Sequence, residues 1–364
     1  MKIGILTFTG ADNYGALLQN YALIHFLQNN KIDAQTINIH VETIEKPYEI
    51  RIMPEKRKNI YIWAKMLIEN IIIYPKMKNR KESFEEFRKL YLRLSDEVKK
   101  IDDIENMDLD VFIVGSDQVW NQDIVKTENM ELFTLGCVKS KTKISYAASA
   151  GSVKCFSKEF GKRIKNLNYV SVREQELKEE LICNYAIDAD VVVDPVFLLS
   201  KEEWNEVIPV DTVERKKYVL VYYIERNNKK VIKIAQSLAQ KHNLQIVNIS
   251  GIDIKSLIKG ESYYGEHPLN FMRLIRDAEF VVASSFHAMA FSVIFQKNFW
   301  IVPHEKTSSR MLNFLDNIGL SERLISTSSQ LKDEEINYQE ASKLLEQQIL
   351  FSKERLLHQL NLEK

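Results

Sequence analysis

The sequence has little cysteine, no net charge and no long apolar run. Cys137, Cys155 and Cys183 are the three cysteines among 364 residues. They are odd in number and lack metal-ligand spacing. That argues against a disulfide framework or a thiolate metal site and fits a reduced, cytoplasmic protein. No other cluster with metal-ligand spacing stands out, so neither a metal nor a bound cofactor is expected. Fifty basic and fifty acidic residues cancel, so no global field recruits nucleic acid or membrane. The best membrane candidate, Ile60–Tyr74, is too short to span a bilayer and is broken by Lys65, Glu69 and Asn70. It reads as a buried amphipathic helix in preference to an interfacial one touching lipid. Internal repeats and low-complexity segments are missing too. The opening MKIGILTF reads as a strand rather than a signal peptide, because no small-residue cleavage site follows.

What is present is a repeated alternation of short apolar runs and helical patterns. Strands are expected at Lys2–Phe8, Gln35–Ile39, Asp108–Val114, Lys143–Ala148, Tyr169–Val172 and Val191–Val193. The alternation restarts at Tyr218–Ile224, Gln245–Ile249, Phe280–Ala283 and Phe299–Val302. A helix is expected at Tyr14–Gln28, a helical elaboration over Arg51–Leu94, and a terminal helix over Glu340–Leu360. Two runs of βα units imply two parallel-sheet domains. The expected division is 1–200, with its helical insertion at about 51–100, and 201–364 with the terminal helix. Pro195 fixes the backbone where the chain leaves the first domain. Two Rossmann-like domains would then face each other across a cleft.

The chain is organised around Glu279–Phe295, EFVVASSFHAMAFSVIF. Phe280-Val281-Val282 suits a buried parallel strand, Ser284 or Ser285 a helix N-cap, and His287 the first helical turn. Ligands of open α/β sheets bind at that end of a strand, and the backbone N–H groups there favour anions. A satisfied core histidine is the competing reading. Other strands also end in polar turns. Asn13 and Gly15 follow the first strand, in a turn able to bring backbone close to a ligand. Gly115, Ser116, Asp117 and Gln118 follow another, Ser149-Ala150-Gly151-Ser152 a third, and Arg173-Glu174 a fourth. For Arg173 the plain alternative is an ion pair with Glu174 or Glu176, and for Arg310 a solvated helix face. His267 and His304, each beside proline, read as loop residues.

Six stretches in order carry a family likeness. They are Asn13-Tyr14-Gly15-Ala16-Leu17-Leu18-Gln19, Val114 to Asn121, Ser145 to Gly151, Ser171-Val172-Arg173-Glu174, Asp194-Pro195 and Ser284-Ser285-Phe286-His287. The sequence resembles the polysaccharide pyruvyl transferase family. The resemblance implies a GT-B-like α/β fold and transfer of pyruvate from phosphoenolpyruvate onto a sugar as a cyclic ketal, in bacterial surface polysaccharide synthesis. It implies that His287 matches the family's functional histidine, Arg173 an arginine that holds phosphoenolpyruvate, and Arg310 a basic position near the donor. Some members have Arg-Leu-His where this chain has Ser285-Phe286-His287, and many have glycine at Ala288.

Phosphoenolpyruvate carries a carboxylate and a phosphate, so its site needs cations and N–H donors. Arg173, Arg310 and the helix start with Ser284 and Ser285 would supply them, with Lys306 as an addition. A histidine near neutral pKa suits the proton transfers. His287 is the first candidate, and Asp117 the next ionisable group. Asn13, Gly15, Gly115, Ser116 and Gln118 are further substrate-binding candidates. The expected partners are phosphoenolpyruvate and a sugar or lipid-linked oligosaccharide, met in the cytoplasm at the inner face of the membrane. Two other readings stay open: a GT-B glycosyltransferase using a nucleotide sugar, and a non-catalytic glycan-binding protein.

Overall fold

A computed structural model describes residues 1–50, 60–151, 156–210, 216–224, 229–250, 260–303, 308–332 and 334–360. Two five-stranded parallel sheets account for most of its strands. The first contains β1 (Lys2–Leu6), β2 (Asp33–Ile39), β3 (Leu94–Val98), β4 (Val111–Val114) and β5 (Thr142–Ser145), in the order β3-β2-β1-β4-β5. A short parallel pair, β6 (Ser171–Val172) and β7 (Asp190–Val191), continues it through bridges such as Ile144 to Tyr169. The second sheet contains β8 (Tyr218–Tyr223), β9 (Gln245–Ser250), β10 (Glu261–Tyr264), β11 (Phe280–Ala283) and β12 (Asn298–Ile301), in the order β10-β9-β8-β11-β12. The two orders are the same. In each, the first strand lies centrally and the chain then winds outward to both sides, the doubly wound pattern of α/β proteins.

Central strands such as β4 and β11 are buried at every residue, as continuous apolar runs covered on both faces should be. Helix Tyr14–Asn29 links the halves. Apolar residues surround it rather than forming a stripe, because each half covers part of it. Tyr14 stacks on Phe271 of the second half with ring centroids 4.3 Å apart. Leu17, Leu18, Phe271 and Phe291 belong to one core cluster that runs through both halves. The two facing halves are in direct contact along this helix. Two cavities border the joint, of about 620 and 250 Å³. The terminal helix, Tyr338–Gln359, returns to the first half: Ser352 Oγ accepts from Val193 N at 3.0 Å and Arg355 pairs with Asp190 at 2.7 Å.

Four expectations need correction. Leu94 belongs to β3 and not to the preceding helix, which runs Ile60–Tyr91. The strand β10 was not expected at all. Both β3 and β10 are sheet edges with polar, half-exposed residues, so their apolar signal is weak. Helix Phe286–Ile294 begins after Ser285, but the Ser285 hydroxyl makes no capping bond; Ser284 Oγ accepts from Ile224 N at 3.3 Å. Finally, Ile60–Tyr74 is not a buried helix: Tyr61, Ile68 and Ile72 are 84%, 57% and 68% exposed.

Candidate active site

The C-terminal ends of β1, β4, β5, β6, β7 and β11 converge where the two halves meet. Asp194 is central. It follows β7, and its Oδ1 caps the short 3-10 turn Pro195–Leu198 by accepting from Val196 N at 3.2 Å. Its Oδ2 accepts from Ser116 Oγ at 3.0 Å and from Arg173 Nη1 at 2.7 Å. The same oxygen lies 3.6 Å from His287 Nε2, an ion-pair separation rather than a hydrogen bond. Burial by itself would raise the Asp194 carboxyl, but His287 and Arg173 outweigh it and hold the group well below the usual carboxylate range.

His287 sits in the first turn of its helix, on the far side of the joint from Asp194. Gly15 makes this approach possible. A Cβ on Gly15 would come within 1.9 Å of His287 Nδ1, so any side chain there would displace the ring. The imidazole thus packs on the start of helix Tyr14–Asn29 while its Nε2 looks toward Asp194. That nitrogen is buried and has no hydrogen-bond partner among the described residues.

Two arginines complete the positive side. The Arg173 side chain is 7% exposed, with its guanidinium over the Phe286 ring at 4.6 Å. Its Nε donates to Glu174 Oε1 at 3.2 Å. Burial pulls the Arg173 pKa down, and the Glu174 and Asp194 carboxylates more than reverse this. Arg310, on helix Ser308–Asn317, reaches across from the second half. Its Nη1 donates to Ser149 Oγ at 3.4 Å and lies 3.8 Å from Glu174 Oε1. Burial and then Arg173 lower the Arg310 pKa, although an arginine stays charged. Arg310 Nε and Glu174 Oε2 are buried without a hydrogen-bond partner among the described residues. Both arginines, Asp194 and Phe286 line the 620 Å³ cavity.

The remaining candidates divide clearly. Ser116 meets the cluster by holding Asp194. Asp117 contributes charge to both arginines, and its backbone is left-handed with φ +74°. Its Oδ1 accepts from Gln118 N at 2.8 Å, a local bond that helps an aspartate tolerate this conformation. Gln118 is engaged with Asn121 at 2.8 Å. Gly115 continues the sheet by donating to Leu6 O at 2.8 Å. Asn13 caps helix Tyr14–Asn29 and lines the 250 Å³ cavity instead. Ser284 and Ser285 are buried beside the histidine's helix start. Lys306 and His304 lie outside the described residues. His267 is a helix cap, accepting from Leu269 N at 3.3 Å. Sequence reasoning missed Asp194 and Glu174 as members of the cluster. Asp194 read as a turn before proline, although it stood in one of the six matching stretches.

Two sheets of matching strand order, joined through helix Tyr14–Asn29 and a shared core with a polar cluster at their strand ends, define a GT-B-like protein. Solved structures of that class are similar over their full length. The UDP-GlcNAc 2-epimerase of Neisseria meningitidis bound to UDP-GlcNAc has a TM-score of 0.55 at 10% identity, covering 100% of both chains. The S. aureus MnaA–UDP structure has a TM-score of 0.54 at 12% identity, covering 100% of this chain and 97% of that one. A glycotransferase of kitacinnamycin has a TM-score of 0.52 at 9% identity, covering 99% of each. No curated protein matches the sequence. The family model of polysaccharide pyruvyl transferases matches residues 13–306, and the chain belongs to that family.

Proposed function

We propose that this protein moves pyruvate from phosphoenolpyruvate onto two hydroxyls of a sugar, forming a cyclic ketal during synthesis of a bacterial surface polysaccharide. The observation that carries this reading is the pair of largely enclosed cations, Arg173 and Arg310, on the wall of one cavity beside Asp194 and His287. Arg173 is already committed to two carboxylates. Arg310, whose Nε has no partner among the described residues, is the cation better able to take a phosphate or carboxylate oxygen.

The reaction breaks the bond between C2 of the enol and its phosphate oxygen and forms two bonds from C2 to sugar oxygens. One hydroxyl proton ends on the methylene carbon, which becomes a methyl group, and the other leaves with phosphate. His287 carries a proton in this exchange, and the Asp194 carboxylate 3.6 Å away stabilises the imidazolium. The acceptor sugar enters from the smaller cavity, where Asn13, Tyr48, Arg80, Tyr222 and Tyr264 offer aromatic faces and polar groups. This sugar is lipid-linked, and the protein works at the inner face of the membrane. Incubation of purified protein with phosphoenolpyruvate and candidate lipid-linked sugars tests the reading. Phosphate release together with a ketal methyl signal in the sugar product is expected. Turnover of a nucleotide sugar in place of phosphoenolpyruvate, or of no donor at all, would overturn it.

A further inference from the structure

Helix Ile60–Tyr91 has two unlike faces. Ile73, Phe84 and Phe87 face inward and are buried, and Phe84 packs against Tyr14 at 5.0 Å. On the other side Tyr61, Ile68 and Ile72 recur at positions that share one helical face, with Ile60 and Ile71 beside them, all more than half exposed. Lone exposed isoleucines are ordinary; a stripe of them on one helix marks an interaction surface. In sequence, residues 51–81 hold nine Lys or Arg against two Glu in a chain whose total is zero, and one turn further along the helix Lys78 and Lys81 face Glu82 and Glu85. Lys76 and Lys78 are exposed within the helix itself.

We infer that this face docks the protein on an anionic lipid bilayer, with the isoleucines in the acyl boundary and the basic residues at the headgroups. Among the described residues no helix is long and apolar enough to cross a membrane, so the helix lies on the surface rather than spanning it. An apolar stripe beside cations is the chemistry of such interfacial helices. The same helix supplies Met77 and Arg80 to the wall of the 250 Å³ cavity. At 1.5 Å per residue, Met77 is about 8 Å along the axis from Ile72. A lipid-linked sugar lying in the bilayer would meet the cavity at the point where the docked helix enters the protein. The inference rests on the lipid-linked acceptor proposed above, but its test needs no substrate.

The test is co-sedimentation of the full chain with vesicles of phosphatidylcholine, with and without phosphatidylglycerol, at low and high salt. The protein should pellet with the anionic vesicles, less so at high salt, and hardly with phosphatidylcholine alone. Ile68→Glu/Ile72→Glu should reduce the partition by about tenfold or more, with melting temperature and turnover of a water-soluble acceptor unchanged. Lys76→Glu/Lys78→Glu, which leaves the apolar stripe intact, should remove most of the preference for anionic lipid. Absence of pelleting by the parent chain, or equal pelleting by the isoleucine variant, would overturn the inference. So would a dimer seen by light scattering that the isoleucine variant dissolves while vesicles recruit neither form, because the face would then join two copies of the chain. Failure of pyruvyl transfer would leave the vesicle result intact, so the two proposals fail separately.

Discussion

Strands β4 and β11 hold the same place in their two sheets, each beside the central strand and each followed by a polar turn. The turns are used differently. After β4, Ser116 is bonded to Asp194, the Asp117 carbonyl to Ser149 N, and Gln118 to Asn121. After β11, His287 presents a buried ring nitrogen with no hydrogen-bond partner among the described residues. One strand end is a hydrogen-bonded scaffold and the other carries a group with bonding capacity left over. Equivalent positions in a repeated topology therefore differ in chemistry, and the proposed reaction is placed on the side of the unsatisfied ring nitrogen.

The largest expected effect lies on the scaffold side. Asp194→Ala would strand Arg173 and His287 in the interior, and loss of one partner from a buried charge cluster costs about 3–5 kcal/mol. Urea denaturation should read a loss of that order, and a loss below about 1 kcal/mol would mean that Asp194 does not anchor the scaffold. The same carboxyl sets an acid dependence. Its folded pKa is depressed, so its contribution is complete above the ordinary carboxylate value of about 3.9 and fades as pH falls through the lower folded value. Asp194→Asn should remove that part of the acid dependence.

On the reactive side, Arg310→Ala should weaken phosphoenolpyruvate binding by about 1.5–3 kcal/mol, the range for a hydrogen bond to a charged group. Calorimetry should show this with little change in melting temperature, because among the described residues Arg310 makes only long contacts, to Ser149 and Glu174. Unchanged affinity would remove Arg310 from the donor site. Gly15→Ala tests the join between the two sides. The added methyl overlaps the His287 ring, and overpacking of this kind costs about 1–3 kcal/mol. Thermal unfolding should show that loss, and turnover should fall with it because the ring must move.

Much of the fold was legible because buried parallel strands leave unbroken apolar runs, as in Phe280–Ala283. The edges β3 and β10 were not, since Leu94–Val98 and Glu261–Tyr264 mix charge with apolar residues. The exposed face of Ile60–Tyr91 was misread because periodicity gives the direction of an apolar stripe and not what covers it. At the site, His287 and Arg173 could be picked out by residue type and by the end of the strand they follow, whereas Arg310, inside a helix, was singled out only by the family resemblance. Gly15 could be picked out as a turn glycine, but its close approach to His287 depends on two segments 272 positions apart in the chain meeting in space. Asp194 depends likewise on contacts from Ser116, Arg173 and His287, three separate segments. Neither pattern is written locally.

The central claim is that His287 moves a proton and is not merely packed against Gly15. His287→Gln tests it on one sample, read by phosphate release and by thermal unfolding. Glutamine can still hydrogen-bond in the first helical turn, so the account predicts a melting temperature close to the parent and turnover lower by about 10²–10⁴, the usual contribution of a positioned general acid or base. An intact fold with near-parent turnover would contradict it and pass the proton-transfer role to Asp117.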